Sequence, residues 1–128
     1  MNCRGIRGAI TVDSNTKESI VSACKDLLKT MIESNEVDVE SIAGVWFTTT
    51  HDLNAEFPAV AARELGLVKT ALMCGHEMNV PGSLQGCLRI MMLINTDKRN
   101  EEIVNVYLKG TCSLRGDTNI SEGNSQEL

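Results

Sequence analysis

Aromatic residues are almost absent: two Phe, one Tyr and one Trp make up 3% of the 128 residues. A core with so few rings must be filled by aliphatic and methionine side chains. Proline occurs twice, at Pro58 and Pro81, so each one marks a local break in regular structure. Positive charge is short. Twelve Lys and Arg stand against 17 Asp and Glu, a net charge of -5, which argues against general nucleic-acid binding. No apolar run reaches membrane-spanning length, and Met1-Asn2-Cys3-Arg4-Gly5 lacks a signal-peptide core. No C-x-x-C pair is present among the five cysteines, Cys3, Cys24, Cys74, Cys87 and Cys112. Four of them lie in apolar segments, which predicts reduced, buried thiols in a cytoplasmic protein rather than a disulfide framework or a zinc site. There is no G-x-G-x-x-G with an acidic partner, no G-x-x-x-x-G-K and no Ser-His-Asp order, so no cofactor and no metal is expected.

What is there reads as one α+β domain over residues 1–115, followed by a polar, flexible tail over 116–128. Residues 3–12 form a predicted strand, in which Arg4 and Arg7 face opposite sides. Ile20, Val21, Cys24, Leu27, Leu28, Met31 and Ile32 recur on one helical stripe, which predicts a long helix over 16–35. Its expected N-cap is Asn15, with Glu18 as the capping-box partner. Strands are predicted at 44–50, 68–73, 88–95, 103–108 and 111–114, and a short helix from Ala59 to a stop at Gly66. The apolar run at 88–95 suggests cover on both faces. The sum is a mixed sheet of about five strands backed by one long helix.

The stretch over 74–89 organises the rest. Glu77 stands at one end and Arg89 at the other, with the turn Val80-Pro81-Gly82-Ser83 between them. A turn there brings the carboxylate and the guanidinium back together. Arg7, Arg63, Arg89 and Arg115 all fall at element ends, with one tyrosine, Tyr107. That set suits a small, multiply charged anion and electrostatic catalysis more than proton relay. His51 and His76 fall in loops and read as solvated.

Arg4-Gly5-Ile6-Arg7-Gly8-Ala9, Phe57-Pro58-Ala59 with Arg63-Glu64, Cys74-x-x-Glu77-Met78, Cys87-x-Arg89-x-Met91-Met92 and Val106-Tyr107-Leu108 together resemble the AroH class of chorismate mutase, in register over about residues 3–115. The resemblance implies a homotrimer, barrel-like, with active sites in the clefts between subunits. It implies conversion of chorismate to prephenate by a Claisen rearrangement, on the way to phenylalanine and tyrosine. Such a rearrangement moves electrons round a ring and needs no nucleophile, acid, base, metal or cofactor, in keeping with the missing motifs.

The resemblance also assigns roles. Arg89 would meet the ether oxygen and a substrate carboxylate, Arg7 and Tyr107 would bind carboxylate, and Glu77 would accept from the ring hydroxyl with Cys74 beside it. Phe57, Ala59 and Leu72 would wall the ring, with Met73 where the family can carry a smaller polar residue. Arg63 and Arg115 would guard the entrance. Val60 stands where the family often has lysine, which removes one positive charge from the mouth. Two rivals use similar residues: a RidA-type trimeric imine deaminase, for which no water-positioning constellation is visible, and a non-catalytic binder of small anions.

Overall fold

A computed structural model describes residues 1–114 and 119–121, without the side chains of Cys112, Ser113 and 119–121. Strand β1 (Asn2–Thr11) leads to helix α1 (Lys17–Ser34), then β2 (Ile42–Thr49), helix α2 (Ala59–Glu64), β3 (Ala71–His76), β4 (Cys87–Thr96), β5 (Asn105–Leu108) and a short β6 (Asn119–Ser121). The sheet order is β3-β2-β4-β1-β5-β6. β1 runs antiparallel to β4 over ten pairs, from Asn2–Thr96 to Thr11–Cys87. β2 is antiparallel to β4, while β3 is parallel to β2 and β5 parallel to β1. The expected mixed sheet with one long helix is therefore present, with β6 as a short addition at its edge.

One face of the sheet is the core. Ile6 and Ile10 of β1, Val45 and Phe47 of β2, Leu88, Ile90, Met92 and Ile94 of β4 and Val106 of β5 are all buried there. Helix α1 supplies Ile20, Ala23, Cys24, Leu27, Leu28 and Met31 against them. The apolar stripe read from the sequence is this buried face. The helix lies close because Gly8 has no side chain. A Cβ built on Gly8 would stand 2.5 Å from Met31 Sδ and 3.0 Å from Leu27 Cδ1. At the far end, Asn35 is buried and clamps the helix to the sheet. Its side-chain amide donates to Met31 O and Val104 O, and its Oδ1 accepts from Val104 N at 2.8 Å.

Several expectations are corrected. Thr16, not Asn15, is the N-cap of α1, and its hydroxyl accepts from Ser19 N at 3.1 Å, so Glu18 makes no capping box. Asn15 instead accepts from the backbone N–H groups of Asn54 and Ala55. β3 begins at Ala71, because residues 68–70 are bends that carry the chain round from α2. The strand expected at 111–114 is a 3₁₀ helix, Lys109–Leu114. Lys109 has φ 54, and Thr111 Oγ1 donates to Leu108 O at 2.8 Å, so the chain turns instead of extending. Of the thiols expected to be buried, Cys24 and Cys87 are and Cys74 is half-buried; Cys3, at the free end of β1, is exposed. The 116–128 tail, apart from β6, lies outside the described residues.

β4 departs from expectation in a way that matters below. Only Leu88, Ile90, Met92 and Ile94 are under the helix, while Arg89 and Met91 face out of the opposite side and are exposed. On that second face Leu114 of the 3₁₀ helix packs against Ala9, Cys87 and Tyr107, while Trp46, Met73 and Met91 are exposed.

Gly8→Val should destabilise the fold by about 1–3 kcal/mol, since a branched side chain wedges α1 off the sheet. Gly8→Ala should cost less, because the unbranched Met31 can turn away. Urea unfolding of the three proteins checks the order; a Gly8→Val variant as stable as the parent would contradict this packing.

Candidate active site

The open face is organised by register. Gly75 of β3, Thr48 of β2, Arg89 of β4, Ala9 of β1 and Tyr107 of β5 are cross-strand partners in one continuous row. The neighbouring row runs Met73, Trp46, Met91, Arg7. Residues in a row on one face lie about 5 Å from their neighbours, so small residues leave hollows between large ones. Gly75 and Ala9 are the small residues here, and they flank Thr48 and Arg89. The hollow is a cavity of about 260 Å³ lined by Arg7, Trp46, Thr48, Glu77, Arg89, Met91 and Tyr107.

Glu77 follows β3 directly, on the side of the sheet that carries Gly75 and Met73. Its backbone N–H donates to Thr49 O at 2.9 Å. The turn expected from the sequence is formed, with Gly82 at φ 84 and Ser83 N donating to Val80 O at 3.1 Å. The chain thus returns to β4, and Arg89 reaches within 3.5 Å of Glu77 Oε1. The Thr48 hydroxyl donates to the other carboxylate oxygen, Oε2. Thr48 and Arg89 together fix the carboxylate in the plane of the cavity. Arg7 enters from β1, whose backbone is held by Arg7 N donating to Asn105 Oδ1 at 2.9 Å. Tyr107 is buried on the far wall, packed with Ala9 and Cys87.

Arg7, Glu77, Arg89 and Tyr107 therefore meet in one place. The other expected site residues do not join them. Cys74 and Leu72 point to the helix side of β3 and pack against the core. Ala59 is buried at the start of α2, Phe57 is 68% exposed before it, and Arg63 is exposed at its end. Cys74 is tied to this second group through the Ala59 backbone N–H and the nearby Arg63. Met73 is on the open face, exposed, at the edge strand. Arg115 lies outside the described residues. Two sets thus stand on opposite sides of one sheet edge. Thr48, Trp46 and Met91 are cavity residues that sequence reasoning missed; alternation in β2 and β4 puts them on one face, but only the strand pairing sets them beside Arg89.

A larger groove, about 550 Å³, runs between α1 and α2. It is not the site. Its lining mixes lysines with carboxylates, Lys25 being paired with Glu64 at 2.6 Å, and holds none of the residues gathered around Glu77. His51 and His76, expected to be solvated, are exposed but stack on each other beside Glu77, with ring centroids 4.8 Å apart. Among the described residues no three His, Cys, Asp or Glu side chains are grouped to hold a metal, and no helix is long and apolar enough to cross a membrane.

The family model of chorismate mutase type I matches residues 3–118. The chain belongs to that family. It is 44% identical to the chorismate mutase AroH of Thermus thermophilus over 115 residues, 89% of this chain and 94% of that relative. It is 41% identical to the chorismate mutase AroH of Bacillus subtilis (strain 168) over 123 residues, 95% of this chain and 97% of that one. A solved chorismate mutase from Clostridium thermocellum superposes with a TM-score of 0.83 at 50% identity, covering 84% of this chain and 96% of its own.

The thiols of this region are shielded. Burial pushes the Cys87 thiol up to about 11; Arg89 works against that, while Glu77 and Asp52 add to it. Burial also raises Cys74, opposed by the Ala59 N–H and Arg63, and raises Cys24 further. At pH 8 a thiol near 11 is roughly one part in a thousand thiolate, and the thiolate is what reacts. Iodoacetamide at pH 8 should therefore modify Cys24 and Cys87 only after unfolding, as read by peptide mass. Rapid modification of Cys87 in the native protein would contradict its burial behind Arg89.

Proposed function

We propose that this chain isomerises chorismate to prephenate in a cleft whose charged half is the Arg7, Glu77, Arg89 and Tyr107 cavity. The observation that carries the reading is that these four residues, from three strands and the loop after β3, converge on one hollow of the open sheet face. Family membership supports the reaction, and neither an imine deaminase nor a passive anion binder has comparable support. The free thiols of Cys3, Cys24, Cys74 and Cys87 suit the reducing cytoplasm.

The chemistry asks for two things. The flexible dianion must be held in its compact conformer, which is a matter of proximity and orientation. Negative charge that grows on the ether oxygen as the bond breaks must meet a fixed donor. Arginine suits both tasks, being permanently charged and forked to match a carboxylate. Arg89 is the donor to the ether oxygen and one carboxylate. Arg7 and Tyr107 bind carboxylate. Glu77, held by Thr48 and Arg89, accepts from the ring hydroxyl.

The cleft is completed by a second copy of the chain. A 260 Å³ cavity falls short of the roughly 300–1,000 Å³ of a complete small-molecule site. The row Met73, Trp46, Met91 is exposed beside it, a stripe of large apolar side chains on a sheet face that needs cover. Phe57, Ala59, Arg63, Leu72 and Cys74 sit round the sheet edge, where they can wall the cleft of a neighbour rather than their own. A closed homotrimer, in which each subunit gives its charged face to one cleft and its α2 edge to the next, satisfies all three observations. Arg63 and Arg115 would then guard the entrance, with Val60 leaving it less positive than a lysine there would.

The direct test is loss of chorismate absorbance on adding the protein. Arg89→Ala should lower kcat on the order of 10²–10³ or more, since it removes a donor whose contact strengthens in the transition state. Arg89→Lys should stay clearly impaired for want of the fork, and Arg63→Ala should mainly raise KM. Arg89→Ala with near wild-type kcat would reduce Arg89 to an ion-pair partner of Glu77.

A further inference from the structure

His51 and His76 have no part in the chemistry above, yet both are bonded to the backbone that carries Glu77. Their rings are stacked, with 22° between planes. His51 Nε2 lies 3.0 Å from Glu77 O. A carbonyl only accepts, so that nitrogen carries the proton and donates. His76 Nδ1 lies 3.2 Å from Thr49 O and 3.2 Å from Thr49 Oγ1. The Thr49 hydroxyl already donates to Leu53 O at 3.0 Å, so His76 Nδ1 is a donor too.

The reason for the His51 bond lies in the strand pairing. β3 runs parallel to β2, and their last paired residues are Thr49 and His76. Glu77 N still finds Thr49 O, but β2 has ended and its ladder has no N–H left for the Glu77 carbonyl. The His51 imidazole takes that place. The same turn grips the other end of the loop. Asp52 Oδ2 accepts from Gly86 N at 3.0 Å, Thr50 N donates to Cys87 O at 2.9 Å, and Cys87 N donates to Thr50 Oγ1 at 3.0 Å. Between the two grips Met78, Val80 and Leu84 of the loop are exposed. A ten-residue loop with free ends samples many closures. Pinned at both ends on residues 49–52, it delivers Glu77 and Arg89 to one another.

We infer that residues 49–52 are the template on which the Glu77–Arg89 pair is set, and that His51, steadied by the ring of His76, is a positioning residue for Glu77. This rests on the reading of Glu77 as the carboxylate that meets substrate. Without the His51 donor the peptide after Glu77 is free to turn, and the carboxylate swings off Thr48 and Arg89. Within the chain His51 bonds to the Glu77 carbonyl and stacks on His76, so its effect runs through Glu77.

A double-mutant cycle tests this. His51→Ala, His51→Gln, His76→Ala and Glu77→Ala are compared for kcat/KM with chorismate, with the melting temperature of each. His51 is exposed, so the fold should survive every change. His51→Ala should lower kcat/KM on the order of tenfold, less than the hundredfold typical of a full 1 Å misplacement. His51→Gln keeps an N–H at similar reach and should recover most of the loss; His76→Ala should act in the same direction, more weakly. In a Glu77→Ala background, His51→Ala should add less than about twofold, because nothing remains to be positioned. Wild-type kcat/KM in His51→Ala, or an equal penalty in both backgrounds, would overturn the inference. If Glu77→Ala itself matches the parent, the role of Glu77 fails and the inference with it. If the parent leaves chorismate unchanged, the functional reading fails instead.

Discussion

The ten-residue antiparallel pairing of β1 with β4 is the constraint from which the site follows. It sets Ala9 beside Arg89 and Arg7 beside Met91, and through β5 it sets Tyr107 beside Ala9. Side chains alternate between faces, so a slip of one residue would send Arg89 under the helix and Leu88 into the cavity. The register is held from the core side. Ile6, Ile10, Leu88, Ile90 and Met92 are all buried there, and α1 is seated on Gly8. A core built from aliphatic and methionine side chains thus fixes, at a distance, where four polar residues meet on the opposite face.

That coupling explains which parts could be read from the sequence. α1 was legible because its information is local: a 3.6-residue stripe that survives without knowing what it packs on. The Glu77–Arg89 approach was legible for a similar reason, since Val80-Pro81-Gly82 declares its turn within the segment it closes. Thr48 and Trp46 were not. Their alternation is visible, but that Thr48 pairs with Arg89 is a fact about two strands forty residues apart, set by tertiary packing. The segment at 111–114 misled for the opposite reason. Its composition suits a strand, yet the Thr111 hydroxyl bonds to Leu108 O and Ala9 O and turns the chain locally. Asn15 and Thr16 were one residue out for the same kind of reason, because both are good caps and only the loop at 54–55 decides which is free to cap the helix.

The fold leaves Trp46, Met73 and Met91 exposed on one face of its sheet, and the two sets of candidate site residues on different sides of an edge. A small protein that finished both tasks within one chain would need a second layer over Trp46, Met73 and Met91. The proposed trimer achieves the same cover by repetition. It puts the permanent charges of Arg7 and Arg89 into a cleft that is dry only once assembled. Charge–charge interactions are strengthened there relative to the exposed pair seen in the single chain.

The most direct test of that account mixes two damaged proteins. Arg63→Ala lacks a group that the account assigns to one side of each cleft, and Arg89→Ala lacks one assigned to the other. Arg89→Ala should have almost no kcat and Arg63→Ala a raised KM, so at chorismate concentrations well below KM each alone should be far slower than the parent. After subunit exchange at equal concentrations, about a quarter of the clefts should combine an intact Arg89 with an intact Arg63 if neighbours associate at random in a closed trimer. Activity should rise to a matching share of the parent value. No recovery in mixed oligomers verified by mass would contradict the intersubunit site and return both arginines to a single chain.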